Sequence, residues 1–106
     1  MLYEMRVYEH VDGQAEAVRK RFEAEVAPRF PSHGIELVAA FTEAETGMLA
    51  YLTRFSDECA RKQAWASFGA DEGWLAAKRA SEVNGPLIAK QRATVLTPAL
   101  AGLPLG

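Results

Sequence analysis

The strongest constraint on the fold is the two-residue alternation along residues 2–9, which is typical of a β-strand with two different faces. Tyr3, Met5 and Val7 fall on one face, and Glu4, Arg6 and Tyr8 fall on the other. After this strand the sequence patterns indicate a helix, two strands, further helices and a last strand. This order predicts two βαβ halves that form one four-stranded sheet with helices on a single face.

The predicted elements have clear local signals. In order, they are a strand over residues 2–9, a helix over 15–30, strands over 35–42 and 48–55, helices after residues 56 and 71, and a strand over 88–97. Apolar residues recur at three- and four-residue steps along the first helix, and Gly34 can provide a left-handed stop after it. Ser56 or Asp57 is the expected N-cap of the second helix, and Asp71 is the expected N-cap of the third.

Size and charge exclude several classes of function. With 106 residues, the chain has room for one domain, expected over residues 1–98 with a tail over 99–106. Twelve Lys and Arg against 14 Asp and Glu give a net charge of −2, so we expect neither a nucleic-acid partner nor an anionic membrane surface. A single cysteine excludes an intrachain disulfide, and no secretory signal is apparent at the start. These features predict a cytoplasmic protein.

Three local signatures carry a resemblance to a known family. They are Leu-Tyr-Glu-Met-Arg-Val-Tyr at 2–8, Asp-Glu-Gly-Trp at 71–74 and Gly-Pro-Leu-Ile-Ala-Lys-Gln-Arg at 85–92. Over roughly residues 2–98 the chain resembles the NIPSNAP family, a branch of the dimeric α/β-barrel (ferredoxin-like) superfamily. The resemblance implies an α+β, ferredoxin-like βαββαβ fold with a four-stranded antiparallel sheet, and a homodimer in which two sheets pack face to face.

The uncovered face of such a sheet predicts a partner. We expect the face with Glu4, Arg6 and Tyr8 to be the one that the helices leave open, and a second copy of the chain to cover it. Glu4 and Arg6 would then be buried together and would have to be paired.

The resemblance also implies a ligand pocket between the sheet and the helices of each protomer. Its expected walls are aromatic or apolar: Tyr3, Val7, Phe22, Phe41, Tyr51, Trp65, Phe68 and Trp74. The alternative is that these residues form a solid core, because aromatic residues at helical or strand spacing usually do. The helix break before Trp74 favours an open cleft.

Polar residues that could act in the pocket are few. Oxygen-holding donors are expected from Tyr8, Tyr51, Arg54, Gln91 and Arg92. The predicted catalytic residues are Tyr8, His10, Tyr51 and Gln91, and Arg54 and Arg92 join Tyr3, Phe22, Phe41, Trp65, Phe68 and Trp74 as predicted ligand contacts. His10 and His33 are the possible bases near neutral pH, with a surface or capping role as the alternative.

By resemblance, three positions stand out against the family pattern. Tyr51 occupies a position where many members carry histidine, and Thr53 occupies one that is commonly tryptophan. Arg61 matches a recurrent family arginine, with a salt bridge to Asp57 or Glu58 as its structural explanation. Two histidines 23 residues apart form no recognisable metal-ligand spacing, and no nucleotide-binding glycine motif is present. We therefore expect neither a metal nor a cofactor.

Three functions remain open at this point. The first is a small-molecule enzyme or binder for a hydrophobic or aromatic molecule, with cofactor-independent chemistry of the isomerase, cyclase, lyase or monooxygenase type by resemblance. The second is a non-catalytic homodimeric scaffold or interaction module. The third is a haem-binding barrel, which would need a histidine facing the pocket.

Overall fold

The computed structural model describes residues 1–102, and its elements follow the predicted order. The strands are β1 (Leu2–His10), β2 (Glu36–Thr42), β3 (Leu49–Phe55) and β4 (Ile88–Leu96). The α-helices are α1 (Ala15–Arg21), α2 (Glu58–Gly69) and α3 (Glu72–Ser81). Of the predicted tail over 99–106, residues 103–106 lie outside the described part of the chain.

The four strands form one antiparallel sheet in the order β2-β3-β1-β4. The two halves of the chain are interleaved in this sheet, because β1 pairs with β3 on one side and β4 on the other. The predicted α+β, ferredoxin-like βαββαβ fold is therefore confirmed. Asp57 and Asp71 cap α2 and α3 as expected, accepting from the backbone N–H groups of Ala60 and Trp74.

The predicted first helix is wrong beyond its second turn. It ends as an α-helix at Arg21, continues as a π-helical turn (Phe22–Val26) and finishes in two 3₁₀ turns (Ala27–Arg29 and Pro31–His33). Pro28 has no N–H to donate to a carbonyl one turn back, and its ring crowds that carbonyl, so a regular α-helix cannot continue through it. Gly34 ends the segment with a φ of 75°, as predicted.

The helices cover the opposite face of β1 from the one we expected. Tyr8 forms a hydrogen bond with Tyr51, Arg6 lies over the ring of Trp65 in α2, and Glu4 accepts from Arg61 in α2. The face with Glu4, Arg6 and Tyr8 is therefore the helix-covered face, and the prediction that it lies open is wrong. Tyr3, Met5 and Val7 lie on the helix-free face.

Glu4 makes the buried polar face possible. Its side chain is 0% exposed, and its two oxygens accept from Arg6 Nε at 2.5 Å and Arg61 Nη1 at 2.6 Å. Arg61 also binds Glu58 in the first turn of α2. The buried carboxylate is thus paired on both sides, as a group removed from water must be.

A register shift in β2 also changes the face of Phe41. Leu37 pairs with Thr53 and Ala39 pairs with Leu52, so one extra residue, Val38, lies between them. Such a bulge reverses the alternation beyond it. As a result Leu37 packs against the core, whereas Phe41 lies on the helix-free face and is 61% exposed.

The core lies between the sheet and the helices and is largely aromatic. Phe30 and Tyr51 are fully buried at its centre, and Phe22 and Phe68 pack around them. Within residues 1–102, no helix has both the length and the apolarity needed to cross a bilayer.

Replacing Glu4 by Gln should lower the free energy of unfolding by about 3 kcal/mol, because two arginines lose their shared buried counter-charge. Glu58→Gln is the matched control: it removes a half-exposed partner of the same Arg61 and should cost less than about 1 kcal/mol. Urea unfolding of the two variants measures both values. Equal costs would show that Glu4 is not the essential partner.

Candidate functional site

A cavity of about 470 Å³ lies between the sheet and the helices. Strands β1 and β4, the α1–π segment, α2 and α3 all contribute to its lining. Its aromatic wall consists of Tyr8, Phe22, Trp65, Phe68 and Trp74. Each of these aromatic residues therefore packs against the core on one side and lines the cavity on the other.

Two features of the helical layer form the aromatic wall. The π-helical turn presents Phe22 and Val26 to the cavity, and turns of this kind are often found at functional sites. The short link between α2 and α3 brings the Phe68 and Trp74 rings into a stack, with centroids 5.5 Å apart and planes 25° from parallel. A planar ligand would find flat apolar surfaces here.

A pair of phenols forms the polar part of the cavity. The hydroxyl oxygens of Tyr8 and Tyr51 are 2.7 Å apart, and only Tyr8 lines the cavity while Tyr51 is buried behind it. Burial raises the pKa of Tyr51, and the neighbouring Tyr8 adds to this effect. Tyr51 therefore stays protonated at neutral pH. If its hydroxyl donates to Tyr8, the buried phenol is satisfied and the Tyr8 hydrogen is left for a ligand.

Arg6 supplies a fixed positive charge beside the phenols. Its guanidinium carbon lies 3.7 Å from the centroid of the Trp65 ring, and its Nε donates to Glu4. Burial lowers the pKa of Arg6, but the hydrogen bond to Glu4 and the Tyr8 and Tyr51 phenols raise it further than burial lowers it. Arg6 therefore remains charged where it lines the cavity.

One stripe of α3 borders the cavity. Trp74 and Lys78 of α3 are followed at the same four-residue step by its C-cap residue Glu82, and all three line the cavity. Arg21, a buried residue of α1, donates to Glu82 at 2.9 Å and to Ser81 at 3.0 Å. This ion pair ties α1 to the end of α3 and holds the stripe in place.

A second polar cluster holds the junction between α2 and α3. His33 Nε2 lies 2.7 Å from Asp71 and its Nδ1 lies 2.6 Å from the Ser67 hydroxyl. Because the Asp71 carboxylate can only accept, Nε2 of His33 donates to it, and the Ser67 hydroxyl is the partner of Nδ1. Asp71 also caps α3 by accepting from the backbone N–H of Trp74. None of Ser67, His33 and Asp71 lines the cavity, so the cluster positions Trp74 from outside.

Many of the predicted site residues meet in this cavity. Residues of the predicted set that line it are Tyr8, Phe22, Trp65, Phe68, Trp74 and Gln91. Tyr51 does not line the cavity, but it forms a hydrogen bond with Tyr8, which does. Their roles in catalysis or binding stay predictions.

The other predicted site residues lie elsewhere. Tyr3 and Arg54 face each other across β1 and β3 on the helix-free face, Arg92 pairs with Val7 there, and Phe41 was moved to that face by the β2 bulge. Their expected place in the pocket wall is wrong, because alternation shows which residues share a face but not which face the helices cover. Val7 is on the helix-free face for the same reason.

Both histidines lie away from the cavity lining. His10 ends β1 at a register shift, opposite Ile88, and its Nδ1 is buried without a hydrogen-bond partner among the described residues. His33 is held by the cluster at the α2–α3 junction. Thr53 does not line the cavity either, and its hydroxyl donates to the Glu4 carbonyl at 3.2 Å. Across residues 1–102 no group of three His, Cys, Asp or Glu residues is arranged to hold a metal ion.

Arg6, Arg21 and Lys78 line the cavity but were not among the predicted site residues. Arg6 was assigned to the wrong face, and Arg21 lies in the basic run Arg19-Lys20-Arg21, a pattern typical of a solvent-exposed helix face. Lys78 had a usable signal, because it lies one turn after Trp74 on α3.

The chain is similar to known proteins over almost its whole length. A family model described as NIPSNAP matches residues 3–101. An uncharacterized NIPSNAP domain protein from Burkholderia xenovorans is 23% identical, with a TM-score of 0.81, and the match covers 98% of this chain and 99% of that one. The protein Atu4242 from Agrobacterium tumefaciens is 29% identical with a TM-score of 0.79, covering 93% and 94%.

A more distant structure shares the fold alone. It is described as a candidate antibiotic biosynthesis monooxygenase from Bacteroides thetaiotaomicron, is 17% identical and has a TM-score of 0.70, with 99% of this chain and 95% of that one covered. A comparison with curated proteins finds no match.

The Asp71 cap of α3 should make the folding stability of the protein sensitive to acid. The backbone N–H of Trp74, followed by His33, lowers the pKa of Asp71 in the folded state. Because the folded-state pKa of Asp71 lies below the unfolded-state pKa of about 3.9, ionised Asp71 stabilises the fold at pH values above about 3.9. This stabilisation is lost as the pH falls through and below that value. Asp71→Asn keeps a good N-cap but cannot titrate, so its stability should fall less steeply below about pH 5. Urea unfolding at several pH values measures both curves, and parallel curves would contradict the prediction.

Proposed function

We propose a function from the cavity itself, because the chain belongs to the NIPSNAP family and the match to that family specifies a fold but no reaction. This protein binds a small, flat hydrophobic or aromatic molecule and acts on it without a cofactor. The observation that carries the proposal is the Tyr8–Tyr51 phenol pair. Its Tyr8 and the neighbouring Arg6 line an aromatic-walled cavity of about 470 Å³. Cavities of this volume and composition are typical of small-molecule sites.

The polar groups favour stabilisation of a negative oxygen. A ligand oxygen next to Tyr8 would accept its hydrogen bond, and Tyr51 would support Tyr8 from behind. Arg6 and the amide of Gln91 also line this part of the cavity. Donors fixed in a partly dry site stabilise an enolate or phenolate more strongly than water does.

The site is poor in bases. Glu82 is the single carboxylate side chain in the described lining, and it is bound to Arg21. The site therefore suits substrates that are already acidic, such as enols and phenols, more than those that need a strong base. Isomerase, cyclase, lyase and monooxygenase reactions can all begin from such an anion, and the distant monooxygenase-like structure does not select among them.

We also propose that the protein is a homodimer formed through its helix-free face. That face carries Tyr3, Met5, Val7, Leu52, Phe41 and Leu96. Phe41 is 61% and Leu96 is 39% exposed in the single chain. Arg54 and Arg92 share this face, but most of its residues named here are apolar. A largely apolar sheet face is normally covered, and a second copy would bury it by twofold symmetry. A cytoplasmic location stays a prediction.

Binding and chemistry can be tested together. A panel of phenols, enols and other aromatic metabolites should include compounds that raise the melting temperature, and mass spectrometry after incubation should detect turnover of at least one. Tyr51→Phe should reduce turnover about tenfold or more while leaving the fold intact, because Tyr8 loses its supporting donor. Trp74→Ala should weaken binding of the same compounds.

Tyr3→Phe is the matched control, since it removes the same hydroxyl from the helix-free face. A panel without any thermal shift or product would support the alternative, a non-catalytic dimeric module. Destabilisation by Tyr51→Phe and Trp74→Ala without any change in ligand response would show that these residues are only core.

The dimer has its own test. Light scattering should give twice the 11.6 kDa of one chain at micromolar concentration. Phe41→Glu should raise the dimer dissociation constant at least about tenfold, because it places a charge in an apolar interface. Val83→Glu is the control, as Val83 is 79% exposed and lies just after α3, on the helical side. A wild-type mass of one chain would remove the dimer proposal.

A further inference from the structure

The cavity is bordered by more positive than negative charge, although the chain as a whole is negative. Its net charge is −2, yet Arg6, Arg21 and Lys78 all line the cavity and Glu82 is the one carboxylate side chain among its described lining residues. The distribution of charge around the cavity is therefore opposite to that of the protein.

The two arginines have their own partners, and Lys78 does not. Arg6 is bound to Glu4 and Arg21 to Glu82. Glu82, the C-cap residue of α3, lies one turn after Lys78, but its carboxylate is the one that Arg21 holds. Among residues 1–102, the Lys78 ammonium has no hydrogen bond or ion pair. Lys90 also borders the cavity, but it pairs with Glu9, next to the Tyr8–Gln91 pair, so strand alternation directs its side chain to the other face of the sheet.

Lys78 is also well placed for a ligand. It lies one turn beyond Trp74 on the same side of α3, and it is exposed whereas the phenol pair is buried more deeply. Arg21 is 5.3 Å from the Trp74 ring, so the indole lies beside two cations. A ring packed against Trp74 would place an acidic substituent within reach of Lys78 at the mouth.

We propose that the ligand of this cavity is an aromatic carboxylic acid, whose carboxylate binds Lys78 at the mouth while its ring packs on Trp74. The proposal rests on the function proposed above and specifies its substrate class. The deep end of the same molecule would present an oxygen to Tyr8. Recognition by a single flexible ammonium gives charge preference and tolerates different ring systems.

A matched pair of probes tests this assignment. 2-Naphthoate and 2-naphthamide have the same ring and nearly the same shape, but only the first is charged. Calorimetry gives their affinities, and the two indole N–H signals of Trp65 and Trp74 in a nitrogen-15 NMR spectrum report whether they enter the cavity, because these are the two tryptophans of the chain and both line it. We expect both signals to shift with naphthoate, and naphthoate to bind several-fold more tightly than naphthamide.

Variants identify the cation. Lys78→Gln should weaken naphthoate about fivefold and change naphthamide less than about twofold. Lys62→Gln is the control, since Lys62 is exposed on α2 and does not line the cavity, and it should leave both affinities unchanged. Higher salt should weaken naphthoate alone.

The possible failures are distinguishable. Equal affinities for the two probes, or equal effects of Lys78→Gln and Lys62→Gln, would overturn the carboxylate assignment and leave the proposed small-molecule function standing. Absence of any indole shift with either probe would overturn both.

Discussion

The buried carboxylate of Glu4 determines which face of the sheet the helices cover. It lies on β1 with no exposed surface, and it is held by Arg6 from its own strand and Arg61 from α2. A carboxylate in this position needs both cations, because neither water nor the apolar core can replace them. The pairing therefore fixes α2 over the face that carries Glu4, Arg6 and Tyr8.

The cavity follows from that choice of face. Arg6 and Tyr8 are brought beneath the helical layer, where Trp65 covers Arg6 and Tyr51 supports Tyr8. The π-helical turn and the α2–α3 junction then place aromatic rings around a hollow instead of filling it. The apolar residues of β1 are left on the other side of the sheet, where the proposed dimer would cover them. One ion-pair network thus separates the polar-lined cavity from the largely apolar face of the proposed dimer.

Much of the fold could be predicted from the sequence, because it depends on local signals. The sequence showed the strand alternation, the helix caps at Asp57 and Asp71 and the end of the first helical segment at Gly34. The face that the helices cover could not be predicted, because alternation defines two faces without showing which one is covered. That assignment depends on Arg61, which is distant in sequence from Glu4. The bulge at Val38 was also hidden, and it moved Phe41 out of the predicted wall. Of the predicted aromatic wall, Phe22, Trp65, Phe68 and Trp74 line the cavity and Tyr3 and Phe41 do not. The cations of the lining were not among the predicted residues.

The measurement that tests this account most directly is the pattern of nuclear Overhauser effects between β1 and the helices in solution. The account predicts cross-peaks from Arg6 and Tyr8 side chains to the rings of Trp65 and Phe22, and none from Val7 to the helical layer. Cross-peaks from Tyr3 and Val7 to α2, with Arg6 and Tyr8 free of helix contacts, would contradict it. Such a result would reverse the sheet and remove both the proposed site and the proposed association face.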